Sequence, residues 1–335
     1  MNKIQSLREK AARNQKKIIL PESDDLRIIE AASIASKEKI ASISMLGKRS
    51  DVEKRLGSKK LDLNGIEFID PENYPRKDEI INTYYELRKA KGITPEDARK
   101  QVFENLVHYG ALMGRLGMVD GFVAGASHST ADVARAALYS LGLDPKIGAL
   151  SSSFVVEIDN CPYGEDGLMV YGDCGVIPDP VPNQLAGIAI ACGELIEVLF
   201  DVEPKVALLS YSTKGSAKGK SIDKVISALN LVKERAPHLK VDGELQGDSA
   251  LVPEVAAIKC KGSEVAGKAN VLIFPNLDAG NICYKLTQRL AKARVVGPLL
   301  MGTSKPASDL SRGCGVEEVV DAITITAVRA QRNAK

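Results

Sequence analysis

Apolar positions along this chain fall into two alternating rhythms. "KKIIL" (residues 16–20) is a short apolar run of strand type, and "PESDDLRIIEAASIASKEK" (21–39) carries Leu26, Ile29 and Ala32 at helical spacing behind Pro21 and a capping Ser or Asp. "IASISMLG" (40–47) alternates and ends on Gly47, as a strand does. The order recurs three times: "VDGFVAG" then "STADVARAALYSLG", "KVALLSYS" then "SIDKVISALNLVKERAP", and "ANVLIFPN" then "AGNICYKLTQRLAKA". Strands followed by helices predict an α/β protein with mostly parallel sheets, because parallel strands need helical crossovers. The Gly-, Pro- and Asp-rich stretch 161–184 breaks the rhythm, and "DGLMVYGDC" within it alternates enough for a hairpin. Architecture is therefore expected to change after about residue 145. No solenoid repeat or low-complexity linker interrupts the chain.

Length and composition narrow the classes. At 335 residues the chain exceeds what one core usually supports, so two domains are expected. A net charge of +2, no Trp and 4% aromatics argue against a broad nucleic-acid surface or base-stacking platform. Six cysteines without CxxC spacing and three dispersed histidines argue against zinc. The first residues are charged and lack the apolar core of a signal peptide. The longest apolar run (185–200) contains Glu194 and Glu197 and is too short to cross a bilayer. Reduced thiols in a cytoplasm are the expectation, with no membrane and no nucleic-acid partner.

Four stretches carry candidate chemistry. "YSTKGSAKGKS" (211–221) lies between a strand and a helix, but Lys214 stands where a P-loop requires its first glycine. The loop reads as a phosphate holder or as a solvated connection, not as a nucleotide hydrolase. In "GASHSTADVAR" (125–135), Ser129 or Thr130 caps a helix whose start suits an anion, with Arg135 a turn further on. His128 there is a general base or a structural hydrogen-bonder. In "DLSRGCGVEE" (309–318), glycines flank Cys314, Arg312 offers a planar fork for phosphate, and Glu317 and Glu318 enter the first turn of an amphipathic helix through Val316, Val319, Val320, Ile323 and Ala327. A capped surface helix is the plain alternative. Cys314 is a nucleophile or a packed thiol, and packing is favoured because no histidine is close in sequence. Finally, "VDGELQGDSAL" and "FPNLDAGNICYK" set acids and amides at strand ends; Asp173, Asp179 and Asp248 are candidate metal ligands, although their spacing demands no metal.

Taken together, "ILPESDDLRIIEAA", "GASHSTADVARAAL", "LSYSTKGSAKG", "VDGELQGDSAL", "PNLDAGNICYK" and "GPLLMGTSKPASDLSRGC" resemble the phosphate acetyltransferase family, in order and from about Lys17 onward. The resemblance implies reversible transfer of acetyl between coenzyme A and inorganic phosphate. It implies a fold like isocitrate and isopropylmalate dehydrogenases, with two α/β domains flanking a cleft: 1–144 with 298–335, and 145–297, the second carrying a homodimer contact. Coenzyme A, acetyl-CoA, acetyl phosphate and phosphate are then substrates, with no tightly bound cofactor and no metal. Ser311, Arg312 and Glu318 match the family's catalytic positions, and Arg88, Ser129, Thr130 and Arg135 its substrate-binding positions. Glu318 stands where the family has aspartate, one methylene longer, with Glu317 beside it. Phosphate butyryltransferases share the fold, and related domains fused to malic enzymes sense acetyl-CoA, so a longer-chain acyltransferase and a non-catalytic sensor are the alternatives.

Overall fold

Strand and helix alternate along the computed structural model, which describes residues 3–332 apart from 146. The order begins with α1 (Lys3–Ala12), β1 (Lys17–Leu20), α2 (Leu26–Lys37), β2 (Ser42–Leu46), α3 (Arg49–Leu56) and β3 (Glu67–Ile69). Three helices follow: α4 (Lys77–Arg88), α5 (Pro95–Glu104) and α6 (Leu106–Arg115). Then come β4 (Gly121–Ala124) and α7 (Thr130–Ala136), which runs into a π-helical turn over Ala137–Leu141. The middle of the chain holds β5 (Ser151–Glu157), β6 (Leu168–Gly172), α8 (Pro182–Phe200), β7 (Lys205–Leu209), α9 (Lys220–Arg235) and β8 (Lys240–Leu245). After these lie α10 (Gly247–Leu251), α11 (Pro253–Lys259), β9 (Val271–Ile273), α12 (Leu277–Leu290) and β10 (Arg294–Met301). β11 (Ala307–Asp309) and α13 (Val316–Arg332) complete the order. The backbone divides into two compact units, Met1–Leu143 with Thr303–Lys335, and Asp144–Gly302.

In the first unit, β3-β2-β1-β4-β11 form a sheet in which every neighbouring pair is parallel. The chain steps outward from β1 to β2 and β3, then returns to place β4 on the other side of β1. The succession of strands thus reverses between β1 and β4, which opens a crevice at the carboxyl ends of those strands. Ile18, Ile19 and Leu20 of β1 and all of β4 are buried, as befits a parallel sheet covered on both faces. α13 buries Val319, Val320, Ile323 and Ala327 of the expected stripe, the two valines and the isoleucine each contributing roughly 1.5–3 kcal/mol of apolar burial. Thr324 and Thr326 are buried too, because each hydroxyl bonds a carbonyl one turn back, at 2.7 Å.

The second unit has the order β10-β5-β6-β9-β7-β8, antiparallel around β5 and parallel from β6 onward. The segment expected to form a hairpin supplies one strand, β6, antiparallel to β5 and parallel to β9, and all five of its residues are buried. α8, the longest apolar run, buries Leu185, Ile188, Cys192, Leu195 and Leu199.

The end of β11 shows how tightly the first unit is closed. Asp309 is 1% exposed, and neither carboxylate oxygen has a hydrogen-bond partner. Gly125 makes room for it: a Cβ there would stand 2.3 Å from Oδ1 of Asp309 and 2.6 Å from the Leu310 backbone. Burial pushes the Asp309 carboxyl up to about 7; the nearby Thr130 hydroxyl and Leu310 N–H oppose the rise, and the charge of Glu22 adds to it. The fold therefore keeps this proton where the unfolded chain has lost it, so stability falls as pH rises from about 4 to about 7. Asp309→Asn removes that dependence. Urea denaturation of both proteins at pH 5 and pH 8 should show the variant gaining about 1–4 kcal/mol on the parent between the two. Parallel pH profiles would contradict a protonated Asp309.

Candidate active site

The loops that leave β1, β4 and β11 emerge side by side, since β1 pairs with β4 and β4 with β11. Glu22, just after β1, is buried, and its carboxylate is ringed by the loop after β4. One oxygen accepts from the N–H groups of Gly125 and Ala126 at 2.8 and 2.9 Å. The other accepts from the N–H groups of Ser127 and His128 at 3.0 and 3.1 Å, and from the Ser127 hydroxyl at 2.9 Å. It also faces His128 Nδ1 at 2.7 Å. Burial pushes Glu22 up, but the bonds from His128, Ser127 and Ala126 outweigh it and hold the group below its ordinary value. The same contact lifts His128 against its partial burial, with Asp24 and Asp132 adding to the rise. The backbone nest of residues 125–128, just ahead of the helix start expected to suit an anion, is thus occupied by the protein's own carboxylate.

Arg27 joins this loop to the turn after β11. Asp25 grips its guanidinium through Nε at 3.0 Å and Nη2 at 2.6 Å. Nη2 also donates to the Ala126 carbonyl at 2.9 Å, while Nη1 donates to the carbonyls of Arg312 and Cys314 at 2.8 and 3.0 Å. One planar cation therefore fixes both loops, as five rigid donors allow. Within the turn, Gly313 N–H donates to Ser311 Oγ at 3.2 Å and Cys314 N–H to the Ser311 carbonyl at 2.9 Å. The side chains of Ser311 and Arg312 are exposed, and the Arg312 guanidinium has no partner among the described residues. Cys314 is buried; burial pushes its thiol up to about 11, with Arg27 opposing and Glu318 adding. That environment suits packing, not a thiolate.

The two neighbouring acids have different surroundings. Glu317 is held by Arg8 of α1 at 2.5 Å, and Arg8 also pairs with Glu38 at 3.1 Å. Glu318 turns back on the helix start, accepting from Gly315 N–H at 3.0 Å, and is exposed.

The remaining predicted residues lie along α7. Ser129 caps it in a reciprocal box with Asp132: its Oγ accepts from Asp132 N–H at 3.2 Å and donates to Oδ2 at 2.6 Å. Asp132 also pairs with the exposed Arg135 at 2.9 Å. Thr130 sits beside Asp309. Arg88, at the end of α4, stacks on Tyr139 with 4.2 Å to the ring centroid. Arg88 and Arg135 both bear on His108, whose burial, reinforced by these two cations, pushes it down to about 4. Ser311, Arg312 and Glu318 therefore share one turn braced to the β4 loop, while Arg88 and Arg135 flank His108.

Glu22, Arg27, Arg8 and Asp309 escaped the sequence reading. Arg27 had one available signal: a cation in the first helical turn opposes the helix dipole and calls for a tertiary partner. Nothing local marks Glu22 as buried. In the second unit the P-loop-like segment also has its donors engaged, since Glu244 accepts from Gly215 N–H at 2.8 Å and from the Ser212 hydroxyl at 2.9 Å. The candidate metal ligands have separate partners: Asp173 takes the N–H groups of Gly175 and Ile177 at 2.9 Å, Asp179 pairs with Lys224, and Asp248 pairs with Lys259 at 3.0 Å. Among the described residues, no group of three or more His, Cys, Asp or Glu is arranged to hold a metal ion.

Comparison with known proteins places this geometry. Residues 3–327 match the family model described as phosphate acetyl/butaryl transferase. A phosphate acetyltransferase of Acetivibrio thermocellus is 49% identical over 331 residues, covering 99% of both chains. The solved structure of a phosphotransacetylase from Streptococcus pyogenes superposes with a TM-score of 0.92 at 38% identity, covering 98% of each chain. A 4-hydroxythreonine-4-phosphate dehydrogenase from Klebsiella pneumoniae, at 10% identity and a TM-score of 0.52 over 95% of this chain and 99% of its own, shares the fold. The expected dehydrogenase-like α/β architecture is thereby met, and the chain belongs to the phosphate acetyl/butaryl transferase family.

Proposed function

We propose that this protein is a phosphate acetyltransferase, moving acetyl reversibly between coenzyme A and inorganic phosphate. Family membership and the names of its relatives support the reaction class. The observation that carries the site is the free Arg312 guanidinium next to Ser311, on a turn fixed through Arg27, with the Glu318 carboxylate in the same turn. In the direction of acetyl-CoA synthesis, Glu318 takes the thiol proton, the thiolate attacks the acetyl carbonyl, and phosphate leaves. Arg312 holds the phosphoryl oxygens and offsets the charge gathering there, where a positioned cation is worth more than in water. Ser311 donates to the carbonyl oxygen or the sulfur. Thr130 and Arg135, presented by the Ser129 cap, complete the phosphate pocket, and Arg88 contributes to binding coenzyme A. The pairing of Glu317 with Arg8 favours Glu318 over Glu317 as the base.

We further propose a homodimer formed through the second unit. Ile282, Leu286 and Leu290 lie on one face of α12 and are exposed, as is Ile258 of α11. A reducing cytoplasm suits the six free cysteines.

Phosphate-dependent release of free thiol from acetyl-CoA tests the reading, and propionyl- and butyryl-CoA test its acyl range. Acetyl-CoA is expected to react fastest. Faster release from butyryl-CoA would favour a butyryltransferase, and binding of acetyl-CoA without thiol release would favour a sensor. Glu318→Gln should lower kcat by about 10²–10⁴-fold with KM nearly unchanged, and full activity would remove Glu318 from the mechanism. Arg312→Lys should lose most turnover, because an ammonium cannot copy the bidentate fork; turnover near that of the parent would sink the phosphate clamp.

A further inference from the structure

The reaction proposed above requires a second proton. When the thiolate forms the new carbon–sulfur bond and the carbon–oxygen bond breaks, phosphate departs through its bridging oxygen. The third ionisation of phosphate lies far above neutral pH, so that oxygen is a poor leaving group unless it gains a proton as the bond breaks. Arg312 supplies charge, and a guanidinium is not a proton donor for this step. Glu318 is engaged at the thiol. A group able to give a proton at neutral pH is needed on the phosphate side, and histidine is the side chain best matched to that task.

His128 stands in such a place. Its Nδ1 lies 2.7 Å from Glu22 Oε1, and its backbone N–H donates to the same oxygen at 3.1 Å, so ring and main chain are held by one buried carboxylate. Ser127 Oγ is 3.3 Å from Nδ1. Nε2 has no hydrogen-bond partner among the described residues, and the side chain is 31% exposed. The loop carrying it is tied to the Ser311–Arg312 turn through one guanidinium, with Ala126 and Arg312 carbonyls both on Arg27. The charged groups that bear most on His128, Glu22, Asp24 and Asp132, are acidic and favour the imidazolium against its partial burial. A carboxylate that fixes one ring nitrogen and leaves the other free is the arrangement by which a histidine is oriented for proton transfer.

We propose that His128, oriented by Glu22, is a further catalytic residue: its Nε2 gives a proton to the phosphate oxygen that leaves acetyl phosphate. The Nε2–H bond breaks as the oxygen–hydrogen bond forms, monohydrogen phosphate departs, and the imidazole regains its proton from solvent. In the reverse direction neutral His128 takes the proton from phosphate as it attacks acetyl-CoA. Glu22 is the positioning residue.

The proposal rests on the acetyltransferase reading, and the experiment separates the two. If the unaltered protein releases no thiol from acetyl-CoA with phosphate, that reading fails whatever the variants do. Given activity, kcat and KM are measured from pH 5.5 to 9 for the parent and for His128→Gln, with acetyl phosphate and coenzyme A as substrates. The expected result is a fall in kcat of about 10²-fold or more, a KM for acetyl phosphate within about threefold, and loss of the parent's high-pH limb. Activity within threefold of the parent overturns the proposal. So does a slower variant that keeps the limb, since a structural role would leave the titration in place. A second measurement is independent of turnover. With only three histidines in the chain, their imidazole signals are separable by NMR. Titration of the parent protein with inorganic phosphate should shift the His128 signal and leave His238 in place. An unmoved His128 signal at saturating phosphate overturns the proposal.

Discussion

The buried carboxylate of Glu22 is the constraint on which the first unit's chemistry depends. A loop that turns sharply at the end of a parallel strand points several N–H groups inward, and buried donors need partners. At the β1/β4 crevice, four consecutive N–H groups converge on Glu22. The second unit repeats the device, with Asp173 and Glu244 taking the donors of its strand-end loops. Many α/β proteins leave such nests open for a ligand's phosphate. Here the nest is filled from within, so in the proposed reading an anionic substrate is recognised by side chains, Arg312 foremost, whose guanidinium has no partner among the described residues. The same carboxylate sets the orientation of His128, so loop architecture and the proposed proton chemistry share one buried charge.

Much of the first unit could be read from the chain. The runs ending in Leu20 and Ala124 became β1 and β4, and the stripe through Val319, Val320 and Ile323 became the buried face of α13. Periodicity serves well there because burial repeats with the element's own period. It served poorly at "DGLMVYGDC", where alternation suggested a hairpin but both faces of β6 are covered. The anion reading at 125–135 rests on the start of α7, and the loop just before that helix holds an acid that the sequence did not reveal. Four N–H groups ahead of the helix, Gly125 to His128, go to Glu22, about a hundred residues earlier in the chain.

The turn at 309–318 shows what tertiary contacts add. Spacing alone favours packing for Cys314 and does not separate Glu317 from Glu318. Burial of the thiol raises the cost of ionising it, and Arg8 pairs with Glu317 while Glu318 accepts from the Gly315 N–H. Neither distinction exists in the sequence: Arg8 is more than three hundred residues away, and a cysteine between two glycines reads the same whether buried or exposed. Arg27 and Asp309 were hidden for the same reason, since each matters only through what the fold brings against it.

The central claim is that the Glu22-filled loop stays closed and that side chains receive the phosphoryl group. A crystal structure of the protein with acetyl phosphate and a coenzyme A analogue lacking the thiol tests it most directly. The account predicts phosphoryl oxygens on the Arg312 guanidinium and within hydrogen-bond reach of His128 Nε2, with Glu22 still on the N–H groups of Gly125 through His128. A phosphoryl group seated on those N–H groups, with Glu22 displaced, would contradict it.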